Sequence, residues 1–243
     1  MVELTYADTL LMLVGTRKHT SQPSSDEQVA FLKFCLEHVS RSQGQFLQDL
    51  WVAYELKLRR NGFFVEFGGA DGVRSSNSYY LETELGWNGI IAEPARVWRE
   101  DLRRNRACAI DTRCVWRESG ARMTFTQTPI AVHSTLEAYA QGDLHAATRV
   151  EGERYEVETV SLNDLLAHWR APRLIDYLSI DTEGSELDIL TAFDFDAHEV
   201  RLISVEHNHT DNRAKLFDLL TAKGYRRKFE LLSNVDDWYV RVD

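Results

Sequence analysis

The stretch FFVEFGGADGVRSSNSYYLE, residues 63–82, contains the pattern that decides the fold of this chain. An apolar run enters a glycine-rich turn, and a Ser/Asn cluster follows before the next apolar residues. A buried strand that leads through such a turn into a helix presents backbone N–H groups and a helix N-terminus to a ligand. The pattern predicts a ligand site for which three ligands compete: a nucleotide phosphate, a dinucleotide, or a cationic nucleoside such as S-adenosylmethionine.

The charges of the turn discriminate between these ligands. A P-loop needs a lysine beside the phosphates, and this turn has none. A dinucleotide site could use Gly68, Gly69 and Gly72, but Glu66 and Asp71 would repel a pyrophosphate. S-adenosylmethionine carries a sulfonium and an ammonium group, so the two acids favour it.

The spacing of the turn agrees with this choice. Glu66-x-Gly68-x-Ala70-x-Gly72 follows the E/D-x-G-x-G-x-G pattern of S-adenosylmethionine sites, with alanine at the middle glycine. We interpret position 70 as one that requires small size more than a positive φ angle.

Polar residues after the turn extend the predicted site. Ser76 and Asn77 belong to a polar cluster that predicts a cap for the next helix, a contact with the amino-acid portion of the cofactor, or both. Glu93 ends the second strand, where a carboxylate accepts both ribose hydroxyls. Enzymes that bind NAD use the same acid, so Glu93 indicates an adenosine ribose without choosing the cofactor.

From residue 63 the chain alternates between strands and helices, which is typical of a parallel sheet covered on both faces. The alternation is interrupted at Met123–Gln141 and by the strand Arg154–Val160. The tail predicts an antiparallel hairpin, Tyr225–Leu231 with Asp237–Val242, which favours the methyltransferase version of this fold. The other predicted strands are Phe63–Gly69, Gly89–Glu93, Cys108–Trp116, Ile175–Asp181 and Val200–Glu206, and the predicted helices are Ser25–Val39, Gln48–Arg60, Ser78–Leu85, Val97–Asn105, Leu162–Trp169, Glu186–Phe193 and Asn212–Lys223.

A second polar cluster follows two neighbouring strands of the predicted sheet. Asp181 and Glu183 end one strand, and Glu206 and His207 end the next. Open α/β sheets bind ligands at this edge. These groups could hold a hard divalent cation or act as a general base for a hydroxyl, although the acids near residue 184 could also complement a helix dipole. We interpret His209, like His133, as an ordinary loop or surface histidine.

Net charge, cysteine spacing and the length of the apolar runs argue against several classes of function. The 243 residues carry a formal charge of −10, which argues against broad binding to nucleic acid or to anionic membrane. The three cysteines form no CxxC pair, so we expect a reducing cytoplasm. The apolar run Leu10–Val14 is too short to span a bilayer, and no stable membrane insertion is expected.

The chain resembles the FkbM family of S-adenosylmethionine-dependent methyltransferases. The resemblance spans about residues 45–242. Its motifs are QDLWV at Gln48–Val52, NGFFVEFGGADGVRSSNSYYLE at Asn61–Glu82, GWNGIIAEP at Gly86–Pro94, DYLSIDTEGSELDIL at Asp176–Leu190 and SVEHN at Ser204–Asn208.

The resemblance implies an α/β Rossmann-like class I methyltransferase fold, with a mostly parallel seven-stranded sheet, a C-terminal antiparallel hairpin and N-terminal helices. We expect the methyltransferase domain at residues 61–243, and residues 1–60 as a helical extension that forms a lid or an oligomer contact. The implied cofactor ligands are Glu66, Gly68, Gly69, Asp71, Gly72, Ser76, Asn77, Glu93 and Asp181.

The resemblance also implies transfer of a methyl group to a hydroxyl of a sugar, glycan or other natural-product acceptor. Glu183, Glu206 and His207 would face the reacting hydroxyl, and Asp181 with Glu206 would hold Mg²⁺ if the reaction uses it. The acceptor pocket is expected from Thr126–Glu151 and the N-terminal segment. Two alternatives stay open: an NAD-dependent oxidoreductase, disfavoured by Glu66 and Asp71, and an inactive binding scaffold of the same fold.

Overall fold

A computed structural model of the chain describes residues 26–140 and 146–242. The apolar run Leu10–Val14 and the loop at residues 16–25 lie outside this range. Within it, the strands are β1 (Phe63–Phe67), β2 (Asn88–Ala92), β3 (Ala109–Asp111), β4 (Cys114–Trp116), β5 (Arg122–Gln127), β6 (Thr135–Leu136), β7 (Glu153–Ser161), β8 (Leu174–Ile180), β9 (Glu199–Glu206), β10 (Tyr225–Lys228) and β11 (Asp236–Arg241). The helices are α1 (Asp26–His38), α2 (Gln48–Glu55), α3 (Tyr79–Leu85), α4 (Arg99–Asn105), α5 (Leu162–His168), α6 (Glu186–Ala192) and α7 (Asn212–Ala222).

The central sheet has seven strands in the order β10-β11-β9-β8-β1-β2-β3. Strands β9, β8, β1, β2 and β3 are parallel neighbours, whereas β11 pairs antiparallel with both β9 and β10. The predicted α/β class and the C-terminal hairpin are therefore confirmed. Because the parallel strands all end at one edge, their carboxyl ends bring distant polar residues together.

Helices cover both faces of this sheet, as the sequence predicts. Successive residues of each strand point to opposite faces, so β1 gives Val65 to one core and Phe64 to the other. The first core is covered by α5, α6 and α7, and the second by α1 to α4. The predicted division of the chain at residue 60 stays a prediction, but α1 and α2 share their core with the sheet.

A second sheet, in the order β4-β7-β5-β6, contains the segments that interrupt the alternation. The prediction of one strand over Cys108–Trp116 was wrong, because its two halves join different sheets. The Asp111 carboxylate accepts the backbone N–H of Arg113 at 2.9 Å and the indole N–H of Trp169 at 3.0 Å. These bonds turn the chain between β3 and β4.

The prediction that the second helix reaches Arg60 was also wrong, since α2 ends at Glu55. Lys57 and Leu58 have φ angles of +52° and +55°, and the Leu58 N–H donates to the Ala53 carbonyl at 2.7 Å. Such a bond is the signature of a Schellman-type helix end. Because glycine usually marks this ending and none is present, the sequence pattern did not reveal it.

Candidate active site

A cavity of about 370 Å³ lies at the carboxyl edge of the central sheet. It falls within the usual range for small-molecule sites, about 300–1,000 Å³. Of the predicted site residues, the following line it: Gly68, Glu93, Asp181, Glu183 and Glu206. The strands β1, β2, β8 and β9 supply these residues at or just beyond their ends. The structure therefore brings together residues that are far apart in the chain.

The turn after β1 forms one wall of this cavity. Gly68 has a φ of +74°, and a Cβ there would lie 2.1 Å from the Asp181 carbonyl oxygen. Only glycine allows so close an approach between the ends of β1 and β8. Ala70 has a φ of +45°, so our interpretation that this position needs small size rather than positive φ was wrong.

Glu93 lies buried beside this turn. Its carboxylate accepts the backbone N–H of Ala95 at 2.8 Å and that of Ala70 at 3.2 Å, which ties the second strand end to the glycine turn. Burial raises the pKa of Glu93 to about 7, against the lowering effect of these two bonds. A carboxylate in this position can accept ligand hydroxyls inside the cavity.

Glu66 lies inside the protein rather than among the cavity-lining residues. Its carboxylate accepts the Ser76 hydroxyl at 3.0 Å and the Asn77 N–H at 2.7 Å, and it also accepts the Ser78 hydroxyl. The fully buried Arg106 lies 3.7 Å from it. Glu66 therefore organises the loop after the turn, and any effect on a cofactor passes through that loop.

Three further predicted contacts also shape the turn without lining the cavity. The Asp71 carboxylate accepts the backbone N–H groups of Val73 and Arg74, at 2.9 and 2.8 Å. A Cβ at Gly69 would lie 2.6 Å from Ile91, and Gly72 has a φ of +82°. These residues fix the backbone that borders the cavity.

Three carboxylates converge at the carboxyl ends of β8 and β9. One oxygen from each of Asp181, Glu183 and Glu206 lies within 4.8 Å of the others. Burial raises the pKa of both Asp181 and Glu206 well above the usual range, and each acid adds to the rise of its neighbours. The cluster can accept a proton, bind a cation, or do both.

Arg149 is a site residue that the sequence reasoning missed. It is almost fully buried, and its guanidinium donates to Glu183 at 2.8 Å and to the His133 carbonyl at 2.8 Å. It thus neutralises one acid of the cluster. Nothing in its local sequence distinguishes it from a surface arginine, because Glu183 is distant in the chain.

The histidines do not lie where the sequence predicted. His207 is buried away from the first cavity, with Nδ1 accepting the His209 N–H at 3.0 Å and Nε2 3.8 Å from Asp237. Burial lowers the pKa of His207 to about 4. His133 and His209, which we interpreted as ordinary, line the cavity instead. His207 borders a neighbouring cavity together with Glu206 and Asn208, and its catalytic role stays a prediction.

A family comparison agrees with this architecture. The model of the methyltransferase FkbM domain matches residues 66–227, two thirds of the chain. The chain belongs to the FkbM methyltransferase family. The matched range contains the glycine turn, Glu93 and the three converging carboxylates. No curated protein matches the chain significantly.

Solved structures resemble this FkbM-family chain only distantly. An FkbM methyltransferase from Methylobacillus flagellatus shares 14% identity with a TM-score of 0.47 over 96% of this chain, which spans 60% of that protein. A methyltransferase from Geobacter sulfurreducens shares 13% identity with a TM-score of 0.45, over 95% of this chain and 98% of its own. The precorrin-6y C5,15-methyltransferase of Geobacter metallireducens shares 11% identity with a TM-score of 0.41, over 79% and 85% of the two chains.

Across residues 26–140 and 146–242, no helix has both the length and the apolar character needed to cross a bilayer.

Proposed function

We propose that this protein is an S-adenosylmethionine-dependent O-methyltransferase that acts on a hydroxyl of a sugar, glycan or other natural product. The observation that carries the proposal is the convergence of Glu93 and the Asp181–Glu206 pair on one cavity. An adenosine ribose at Glu93 and a sulfonium near the acids would each meet carboxylate oxygen, so the charge of the cavity suits this donor.

The proposed roles follow from the geometry of each group. Gly68 allows the turn to pass close to the ligand, and Glu93 accepts the ribose hydroxyls. Glu206 removes the acceptor proton, because a buried carboxylate with a raised pKa is a stronger base than a solvated one. Asp181 and Glu183 hold charge beside the reacting groups. Positioning the nucleophile in line with the methyl group supplies much of the expected rate.

Magnesium is a further part of the proposal. The donor set fits, because Mg²⁺ prefers carboxylate oxygens and Asp181, Glu183 and Glu206 offer three of them within 4.8 Å. A bound Mg²⁺ would lower the pKa of a coordinated hydroxyl. The Arg149 ion pair competes for Glu183, so methyl transfer measured in EDTA and in excess Mg²⁺ tests whether the metal is needed.

Calorimetric titration with S-adenosylhomocysteine and with NAD tests the cofactor. We expect binding of S-adenosylhomocysteine, no binding of NAD, and at least tenfold weaker binding in Glu93→Gln, because one neutral amide cannot accept both ribose hydroxyls as strongly. The exposed Glu100→Gln is the matched control. Binding of NAD alone would contradict the proposal in favour of the oxidoreductase.

A turnover assay separates an enzyme from an inactive scaffold. We expect Glu206→Gln to retain S-adenosylhomocysteine binding and to lose methyl transfer about a hundredfold or more, as for removal of a general base. Binding without transfer to any hydroxyl acceptor would favour the scaffold.

We also propose a cellular compartment and an assembly state for this protein. All three cysteines lie in the described part of the chain, are buried and are free, which supports a reducing compartment such as the cytoplasm. A homo-oligomer and a lid role for the N-terminal segment stay proposals, which sedimentation of the full chain with and without S-adenosylhomocysteine tests.

A further inference from the structure

A second cavity, of about 570 Å³, lies beside the first and shares a wall with it. Glu206 and Asn208 border both cavities. Residues 183–185 form a second part of the shared wall. Glu183 and Ser185 face the first cavity, whereas Gly184 between them borders the second. The loops at residues 181–186 and 206–209 therefore separate two sites, and the acidic cluster lies at the boundary.

The backbone of this wall is unusual in both loops. Glu183 and Gly184 have φ angles of +58° and +125°, and Asn208 and His209 have φ angles of +44° and +55°. Non-glycine residues in the left-handed region store strain, which persists where the surrounding structure imposes it and is frequent at functional sites. The wall is held in this conformation at the point where the two cavities meet.

Glu206 carries an unmet hydrogen-bonding requirement at this boundary. Its side chain is buried, with 7% of the residue exposed, and its Oε2 atom has no hydrogen-bond partner among the described residues. A buried carboxylate oxygen without a donor is costly, so this atom is suited to a donor supplied by a ligand.

The lining of the second cavity limits which ligand can supply that donor. Its hydrogen-bonding groups include those of Glu186, His207, Asn208, Asp211, Asn212 and Lys215. With Glu206, the acids outnumber the single lysine, so a phosphate or carboxylate ligand would meet net repulsion. Amide, carboxylate and ammonium groups together suit a neutral ligand with several hydroxyls.

We propose that the second cavity binds the acceptor, that the acceptor is a neutral polyhydroxylated molecule of the sugar type, and that its reacting hydroxyl donates to Glu206 Oε2. This inference rests on the proposed function. In the reaction, the hydroxyl oxygen forms a bond to the methyl carbon while the carbon–sulfur bond breaks. The bonding electrons stay on sulfur as S-adenosylhomocysteine, and the hydroxyl proton passes to the Glu206 carboxylate.

Saturation-transfer NMR on the full chain, loaded with S-adenosylhomocysteine, tests the proposal. The probes are methyl α-glucoside, methyl α-galactoside and methyl α-mannoside as neutral sugars, with glucose 6-phosphate as the anionic comparison. We expect a neutral glycoside to bind, and Asn212→Ala and Lys215→Ala each to weaken it about fivefold, as for the loss of one hydrogen bond. Asp218→Asn, an exposed change on the same helix outside this cavity, should leave the affinity unchanged.

The outcomes separate this inference from the proposed function. Failure to bind S-adenosylhomocysteine contradicts the proposed function. If S-adenosylhomocysteine binds normally, three results contradict only the second-cavity inference. These are that no neutral glycoside binds, that the sugar phosphate binds more tightly than the glycosides, or that the Asp218 variant weakens glycoside binding as much as the Asn212 variant.

Discussion

At Gly68 the chain adopts a φ of +74°, and any side chain would place its Cβ 2.1 Å from the Asp181 carbonyl. We expect Gly68→Ala to lower the free energy of unfolding by about 3 kcal/mol or more, because backbone strain and a steric clash add. Gly120→Ala is the matched control, with a φ of +79° and open space around its Cβ. It should cost only the strain, about 1–2 kcal/mol. Equal losses in urea denaturation would show that the close approach does not matter.

The buried Glu93 beside the glycine turn makes the stability of the protein depend on pH. Its pKa is about 7 in the folded state against 4.5 for the ordinary group, so the folded protein holds this proton when the unfolded chain has released it. Stability from this group is therefore present below pH 4.5 and is lost as the pH rises to 7, by about 3 kcal/mol in total. The unfolding free energy of the wild type minus that of Glu93→Gln should fall across this interval. A difference that stays constant from pH 5 to 8 would contradict the assignment.

Among the elements, the loop between β1 and α3 depends on one buried cation. The Arg106 side chain is fully buried, and it donates to Glu82 at 2.9 Å, to Ser78 at 2.9 Å and to the Gly72 carbonyl at 3.1 Å. Since Glu66 accepts hydrogen bonds from the same loop, the pair fixes the backbone that borders the first cavity.

We expect Arg106→Met to destabilise the protein by about 3–5 kcal/mol, because it leaves the buried Glu66 and the partly buried Glu82 without their cation. It should also weaken S-adenosylhomocysteine binding, although Arg106 does not line the cavity. Arg104→Met, in the last turn of the preceding helix α4, removes an exposed ion pair and should cost at most about 1 kcal/mol. If Glu66→Gln in the Arg106→Met background restores no stability in urea denaturation, the two charges are not coupled.

The positions of the strand ends explain which site residues could be predicted from the sequence. The acids at residues 181 and 206 were found because parallel strands end at one edge of a sheet. The role of His207 stays a prediction: it directly follows β9 and borders the second cavity, whereas Glu206 borders both cavities. The role of Arg149 could not be predicted from the sequence, because only the tertiary packing of the segment after β6 brings it to its partner Glu183.

At the scale of the whole molecule, the strand and helix order was predictable from apolar runs, and the sheet order followed the expected fold. The packing of the N-terminal helices was not predictable, because the amphipathicity of a helix does not indicate which surface it covers. Trp51 of α2 stacks on Trp238 of β11 with ring centroids 5.1 Å apart, and both are fully buried. The first helix adds Phe31 to the same cluster.

The packing of α1 and α2 against the sheet predicts that a fragment cut at residue 60 does not fold alone. A fragment of residues 61–243 would expose the Trp238 and Tyr177 side chains, which lie in one core with Trp51. We expect the fragment to bind a hydrophobic dye and to unfold without a cooperative transition. In the full chain, Trp51→Ala should cost about 3–5 kcal/mol, whereas Leu36→Ala, 58% exposed on α1, should stay within about 0.5 kcal/mol. A fragment that melts as cooperatively as the full chain would instead establish residues 61–243 as a domain that folds alone, with the N-terminal helices as a removable cover.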